Sequence, residues 1–218
     1  DSSAKNSWIA HINQKIEETE KFFANTLGVI ELTVGYEQQD EIDLPQQLFF
    51  LDDLLEQNDA FSEVSFVSIE EGTYGQETAK KSRIDNAPQI FNVSLLPKFT
   101  EAKTGKTYVS AVYYTLDGAF VTISAPVRNR NGRIVQILSA EVQLKQIGDS
   151  IGSAVLGTNG GMILVDQDGR IIAHRDKTLR GKDWSKVFAV QRVLNGVEVN
   201  ALMPADRWGE RLIRRLGL

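Results

Sequence analysis

Glu141 is the side chain of this sequence whose setting most calls for a chemical partner. It lies in the run from Ile134 to Leu144, flanked by Ile137, Leu138, Ala140 and Val142, which reads as a strand. A carboxylate there either faces solvent or is buried as an acceptor. Burial demands a donor or a cation, because an isolated buried charge is strongly unfavourable. A ligand would supply either. Tyr113 and Thr115 fall on one face of the strand expected beside it, and Tyr108, Ser110, Val112 and Tyr114 on the other, because side chains alternate with period two. The spacing leaves open which face is core and which is a pocket wall.

Other patterns that imitate chemistry read as structure. Thr104-Gly105-Lys106-Thr107 resembles the end of a phosphate-binding loop, yet Thr100 stands where that loop needs glycine. The strand before it and the long helix after it are also absent from the pattern. His11 and His174 are the two histidines and lie far apart, whereas a zinc site wants at least three soft or imidazole ligands. Asp166, Asp168 and Gly169 suggest a calcium loop but lack the bidentate acid that closes it, so a hairpin turn is expected. No nucleophile elbow or Ser/His/Asp pattern is present. A hydrolase working through Asp166 and Asp168 would need paired acids in a cleft, and nothing in the sequence demands one. No catalytic residue, metal or cofactor is expected.

Composition agrees with a binding role. The 218 residues carry a net charge of −5, which argues against a nucleic-acid partner. Apolar residues make up 42% and charged residues 24%, an ordinary globular balance. Cysteine is absent, so there is neither a disulfide framework nor thiolate chemistry. No apolar run approaches the roughly 20 residues that span a bilayer. The chain opens on Asp1 rather than Met, and it is expected to be a piece of something longer.

The elements that must position Glu141 are legible in outline. Ile9, Ile12, Ile16, Phe23, Leu27 and Ile30 recur at helical spacing, predicting a helix from Asn6 to about Val34. At roughly 28 residues it would be about 42 Å long. It is either a core helix or a signalling stalk that pairs with a second copy. Asp43 and Pro45 start a second helix, with Leu48, Leu51 and Leu55 inward and Asn58-Asp59 as its end. Phe61 to Ile69 reads as a strand. Tyr74 to Asn92 resists assignment, and Pro97 to Lys103 reads as a short helix. Tyr108 to Leu144 is expected to form a three-stranded antiparallel meander, turning at Leu116-Asp117-Gly118 and at Asn129 to Gly132.

Val142 to Leu156 returns to a helical period. A hairpin from Met162 to Ala173, a helix from Trp184 to Leu194, a strand from Val197 to Met203 and a basic amphipathic tail from Ala205 to Leu218 complete the outline. Strand followed by acidic turn occurs at Ser65–Gly72 and again at Met162–Gly169, a weak internal repeat that suggests two copies of one α/β plan.

Three segments taken in order are similar to the first module of the double Cache sensors, which are tandem PAS-like extracellular domains. They are Gly105 to Ser110, Val121 to Val127, and Asn131-Gly132 with Ile134 to Leu144. Leu164 to Asp176 and Arg180 to Asp183 resemble the start of that family's second module. Up to about residue 200 the resemblance covers most of the chain. It implies an α+β fold: a long N-terminal helix over residues 1–40, a membrane-distal PAS-like module over 41–147, and a membrane-proximal one over 148–218. Both modules would be built on antiparallel sheets. Arg207-Trp208-Gly209-Glu210 fits the family's closing strands poorly, so the second module is either truncated or ends differently.

The resemblance further implies the periplasmic or extracellular, small-molecule-sensing part of a membrane-tethered receptor. Its output would be a histidine kinase, a chemotaxis transducer or a cyclase, and the long helix would mediate a homodimer. In amino-acid-binding members an Arg-x-Trp-Tyr-x-x-Ala helix clamps the ligand carboxylate. Here Leu96 stands at the Arg position and Lys98 at the Trp position, and a downstream Tyr-x-Asp becomes Tyr113-Tyr114-Thr115. Loss of the bidentate arginine argues against a standard α-amino acid, although Lys98 retains a point charge able to hold an anion. Glu141 keeps the family's second acid in kind. The expected pocket is lined by Phe99, Tyr113, Thr115 and Glu141, with Lys98 at its rim, in the distal module. The rival reading is a Cache-like structural or dimerisation module without a ligand.

Overall fold

Asp43 closes a capping box: its carboxylate accepts from the Gln46 N–H at 2.9 Å, and the Gln46 side chain accepts from the Asp43 N–H at 3.2 Å. That cap starts the second of the helices seen in the computed structural model. The structure describes residues 2–36, 43–157, 160–196 and 210–212. In chain order the elements are α1 (Ser2–Tyr36), α2 (Leu44–Gln57), β1 (Phe61–Ser68), β2 (Glu77–Ser82), α3 (Pro97–Thr100), β3 (Tyr108–Val109), β4 (Tyr113–Thr115), β5 (Gly118–Arg128) and β6 (Ile134–Gln143). They continue with α4 (Lys145–Gly152), β7 (Val155–Leu156), β8 (Gly160–Val165), β9 (Ile171–Ala173), α5 (Phe188–Leu194) and β10 (Glu210–Leu212). Two compact units divide the chain. One holds Asn25–Ala111 and Phe120–Gln143; the other holds Asp1–Ala24, Val112–Ala119 and Leu144–Leu218.

The first unit is built on an antiparallel sheet of order β2-β1-β6-β5-β3. Directly opposed residues of neighbouring strands share a face. The register therefore puts Val64, Phe66, Leu138, Ala140, Ile123 and Ala125 together on one apolar face. Helix α2 lies against β1 and β2 and buries Leu51, Leu54 and Leu55. The other face is mixed, apolar at Val67, Ile137 and Pro126 and polar along the rows beside them, and it carries the site. The β5–β6 turn follows the Asn-Gly signal: Asn129 Oδ1 accepts from the N–H groups of Asn131 and Arg133, and Gly132 takes φ 77°, a left-handed conformation suited to glycine.

The second unit centres on β8, which pairs antiparallel with β7 and β9 and parallel with β10. The β7–β8 and β8–β9 pairs follow the antiparallel plan expected of the module, and β10 adds a parallel strand beside β8. Its core gathers Ile163, Val165, Ile171, Ala189, Val190 and Val193 from β8, β9 and α5. The β8–β9 turn is a side-chain-stapled hairpin. Asp166 Oδ1 accepts from the N–H groups of Asp168 and Arg170 at 2.9 Å each, and Oδ2 accepts from the Tyr114 hydroxyl at 2.9 Å. Burial, and then the Asp166 charge, push the Tyr114 phenol far up, so it stays a donor.

Several boundaries differ from expectation. The α-helix expected over Val142 to Leu156 spans only Lys145–Gly152, because Val142 and Gln143 complete β6 and Leu156 belongs to β7. The helix expected from Trp184 begins at Phe188, since Trp184 donates to the Gly169 carbonyl and closes a turn. The strand expected from Tyr108 to Thr115 is broken after Val109. There the Thr122 N–H donates to Ser110 Oγ at 2.8 Å, a side chain competing with the ladder. The strand expected over Val197 to Met203 lies outside the described residues, as does the tail expected from Ala205 except for Glu210–Leu212. No helix among the described residues is long and apolar enough to cross a membrane.

Candidate functional site

The mixed face of the first unit's sheet is a grid set by register. In one row Tyr108 of β3 opposes Ser124 of β5, which opposes Ser139 of β6, then Ser65 of β1 and Lys80 of β2. The row on one side runs Thr122, Glu141, Glu63. The row on the other side runs Pro126, Ile137, Val67, Glu77. Three serines in a line contribute almost no side-chain volume at the centre of the face, and all three are buried. Charged groups frame them.

Two local features aim those charges. A β-bulge in the β1–β2 pairing opposes Val67 to Glu77 rather than to Thr78. The extra residue turns Glu77 onto that face, an established use of bulges. Helix α3 starts with Pro97 at its first position, where the fixed φ suits a helix. Phe99 then inserts, fully buried, among Val67, Val93, Ala102 and Ile137, with Tyr74 edge-on at 4.9 Å. Burying a side chain of that size stabilises by about 1.5–3 kcal/mol. Anchored so, α3 carries Lys98 to the carboxylates.

The resulting network has defined geometry. Lys98 Nζ lies 3.4 Å from Glu141 Oε1 and 3.5 Å from Glu77 Oε1. Lys80 Nζ lies 2.9 Å from Glu63 and 3.4 Å from Glu77 Oε2. The Thr122 hydroxyl donates to Glu141 Oε2 at 2.6 Å, and the Phe91 N–H donates to Glu77 Oε2 at 3.1 Å. Glu77 is 1% exposed, and its Oε1 accepts no hydrogen bond. Burial alone would lower the Lys80 pKa, but the neighbouring Glu63 and then Glu77 outweigh it and raise it. Burial chiefly, then the charges of Glu101 and Glu141, push the Tyr108 phenol up.

Of the residues singled out in the sequence, Lys98 and Glu141 meet, and Phe99 lies in the adjoining core. Tyr113, half-buried, and Thr115, exposed, belong to the other compact unit. The expectation that they occupy the strand next to Glu141 is corrected, because β6 lies between β1 and β5, and the residues opposite Glu141 are Glu63 and Thr122. Sequence reasoning missed Glu63, Glu77, Lys80, Thr122 and the serine row. The serines at 65, 124 and 139 carried a usable signal, as small polar residues inside otherwise apolar strands. Glu77 had none, since the bulge that orients it is a property of the pairing.

Comparison with known proteins agrees with this fold. Residues 88–208, more than half of the chain, match the model of the Cache 3/Cache 2 fusion domain. The methyl-accepting chemotaxis protein McpA of Pseudomonas putida is 29% identical over 110 residues, 49% of this chain, and the match spans only 17% of McpA. The ligand-binding domain of the Pseudomonas aeruginosa amino acid chemoreceptor PctC, solved with GABA, superposes with a TM-score of 0.67 at 17% identity, covering 85% of this chain and 80% of that one. The ligand-binding domain of the Campylobacter jejuni chemoreceptor Tlp3, solved with 4-methylisoleucine, gives 0.71 at 14% identity over 92% and 80%. At those identities the likeness is one of fold: a long N-terminal helix with α+β modules, as in chemoreceptor ligand-binding domains. With the greater part of its sequence matched on that architecture, the chain belongs to the Cache 3/Cache 2 fusion domain family.

Proposed function

We propose that this chain is the extracytoplasmic, small-molecule-sensing region of a membrane-tethered receptor, with a chemotaxis transducer, histidine kinase or cyclase as output. The unit holding Asn25–Ala111 and Phe120–Gln143 acts as the membrane-distal, ligand-holding module. Its role is binding rather than catalysis. Lys98 and Glu141 contact the ligand, with Phe99 anchoring the helix that carries Lys98. Tyr113 and Thr115 are not needed for this site.

The observation that carries the reading is the partly buried charged frame around the three buried serines, in which Lys98 faces both the buried Glu77 and Glu141. A purely structural core would fill that centre with apolar volume, because interiors are close-packed. The solved chemoreceptor domains of this fold hold GABA and 4-methylisoleucine, both small molecules. A ligand that binds one arrangement of the receptor more tightly shifts its population, and this differential affinity is all that signalling requires.

The test is a thermal-shift screen of small acids, amines and amino acids on the wild-type chain and on Glu141→Ala. A specific ligand raises the melting temperature by mass action. Glu141→Ala is expected to fold and to lose that shift. Absence of a shift with every compound would favour the rival, a ligand-free structural module. We also propose that two copies pair through α1, which supports a stalk role: among its described side chains only Thr19, Thr26 and Ile30 are buried.

A further inference from the structure

Charge is spread unevenly along this chain. Residues 170–218 carry 11 Lys and Arg against 5 Asp and Glu, whereas residues 1–169 carry 13 against 24. Such asymmetry within a net-acidic chain points to a negatively charged partner at the basic end. In the described part of that end, residues 170–196, seven cations stand against two acids. Arg180 pairs with Asp149 at 2.8 Å, and the other six cationic side chains are exposed. Both acids serve their own turns. Asp176 accepts from the Thr178 N–H at 2.9 Å, and Asp183 accepts from the Ser185 N–H at 2.8 Å.

Apolar side chains project among these cations. Phe188, the first residue of α5, is 65% exposed, and Val187 beside it is exposed as well. Arg192, one turn further on, lies over the Phe188 ring at 5.9 Å from its centroid. The segment that presents them is firmly mounted. The Trp184 N–H donates to the Gly169 carbonyl, the Val187 N–H donates to the Trp184 carbonyl, and the Trp184 side chain packs on the core of β8, β9 and α5. A soluble polyanion would satisfy the cations and offer nothing to Val187 and Phe188. A bilayer surface meets both: anionic headgroups attract Lys and Arg, and apolar side chains enter the boundary beneath them.

We infer that the corner of the second unit formed by Lys182, Lys186, Val187, Phe188 and Arg192 docks on anionic phospholipid headgroups of the membrane that tethers the receptor. The inference rests on the membrane-tethered reading proposed above, in which this unit is the membrane-proximal one. An anionic surface repels the acidic remainder of the chain, which favours contact through this end.

Co-sedimentation of the whole chain with lipid vesicles decides the matter. One set of vesicles is phosphatidylcholine alone, and the other is phosphatidylcholine mixed with phosphatidylglycerol. Binding is expected to the anionic vesicles and not to the neutral ones. It should weaken as salt rises from about 0.01 to about 0.15 M, because the screening length falls from about 30 to about 8 Å. Lys182→Ala combined with Lys186→Ala should weaken it at least about tenfold, since each cation near a charged bilayer is worth about fivefold. Phe188→Ser should weaken it several-fold through lost apolar burial. Circular dichroism checks that this variant folds, and Phe188→Ala gives the same readout if it does not. Lys106→Ala combined with Arg130→Ala removes the same charge from exposed positions of the first unit and is expected to leave binding unchanged.

No binding to anionic vesicles, or binding that the Lys106 and Arg130 changes weaken as much as the Lys182 and Lys186 changes, would overturn the inference. Binding that depends on the lysines but not on Phe188 would make this surface a general polyanion contact and overturn the lipid assignment. Ligand sensing is read separately, by the thermal-shift screen on the first unit's site, so either reading can fail without the other.

Discussion

At Glu141 the Thr122 hydroxyl fixes one carboxylate oxygen, Lys98 approaches the other, and Glu63 stands opposite. Thr122 therefore acts as a positioning residue. Thr122→Val, nearly isosteric, is expected to cost about 1 kcal/mol of stability and to weaken ligand binding several-fold, as read by denaturant melts and titration. An unchanged affinity would remove Thr122 from the site. Phe99 plays a different part. Phe99→Ala should destabilise the fold by about 3–5 kcal/mol, the range for emptying a large core position, and should free α3 along with Lys98. Glu141 was conspicuous in the sequence because a charge interrupts an apolar run. Its partners were not, because Glu63 and Glu77 reach it through pairings made far along the chain.

At the scale of elements, local chemistry and local geometry agree. The Asp43 capping box was readable from residue order alone, and Asp43→Ala should cost about 1 kcal/mol, a fall of about 2–4 °C in melting temperature for a chain of this size. Helix α4 depends instead on a distant partner. Arg180 donates to Asp149 at 2.8 Å, and this bond chiefly holds the Asp149 carboxyl below its usual range. A depressed carboxyl pKa contributes stability above the unfolded value of about 3.9. That contribution disappears as the pH falls through the lower folded value. Because Asp149 is 39% exposed, solvent screening limits the pair to under about 1 kcal/mol. Asp149→Asn should therefore melt slightly below wild type at pH 7 and match it once the pH has fallen through the lowered folded value. A difference that persisted in acid would exclude the ion pair as its source.

At the scale of the whole molecule, α1 runs for 35 residues, about 52 Å at helical rise, and belongs partly to each compact unit. Leu32 on this helix is 65% exposed. If two copies pair through α1, Leu32→Lys should shift sedimentation toward the monomer without lowering helicity, and an unchanged dimer would place the interface elsewhere. The sequence by itself determined the long helix, the capped second helix, the Asn129–Gly132 turn and the hairpin at Asp166, because each follows from residues within a few positions of one another. It also marked Glu141 and the family. Only the tertiary structure decided that β6 lies between β1 and β5, that a bulge turns Glu77 inward, and that Tyr113 and Thr115 belong to the other unit. Strand order and register are settled by burial over long separations, and a one-residue shift in pairing moves a side chain to the opposite face of the sheet.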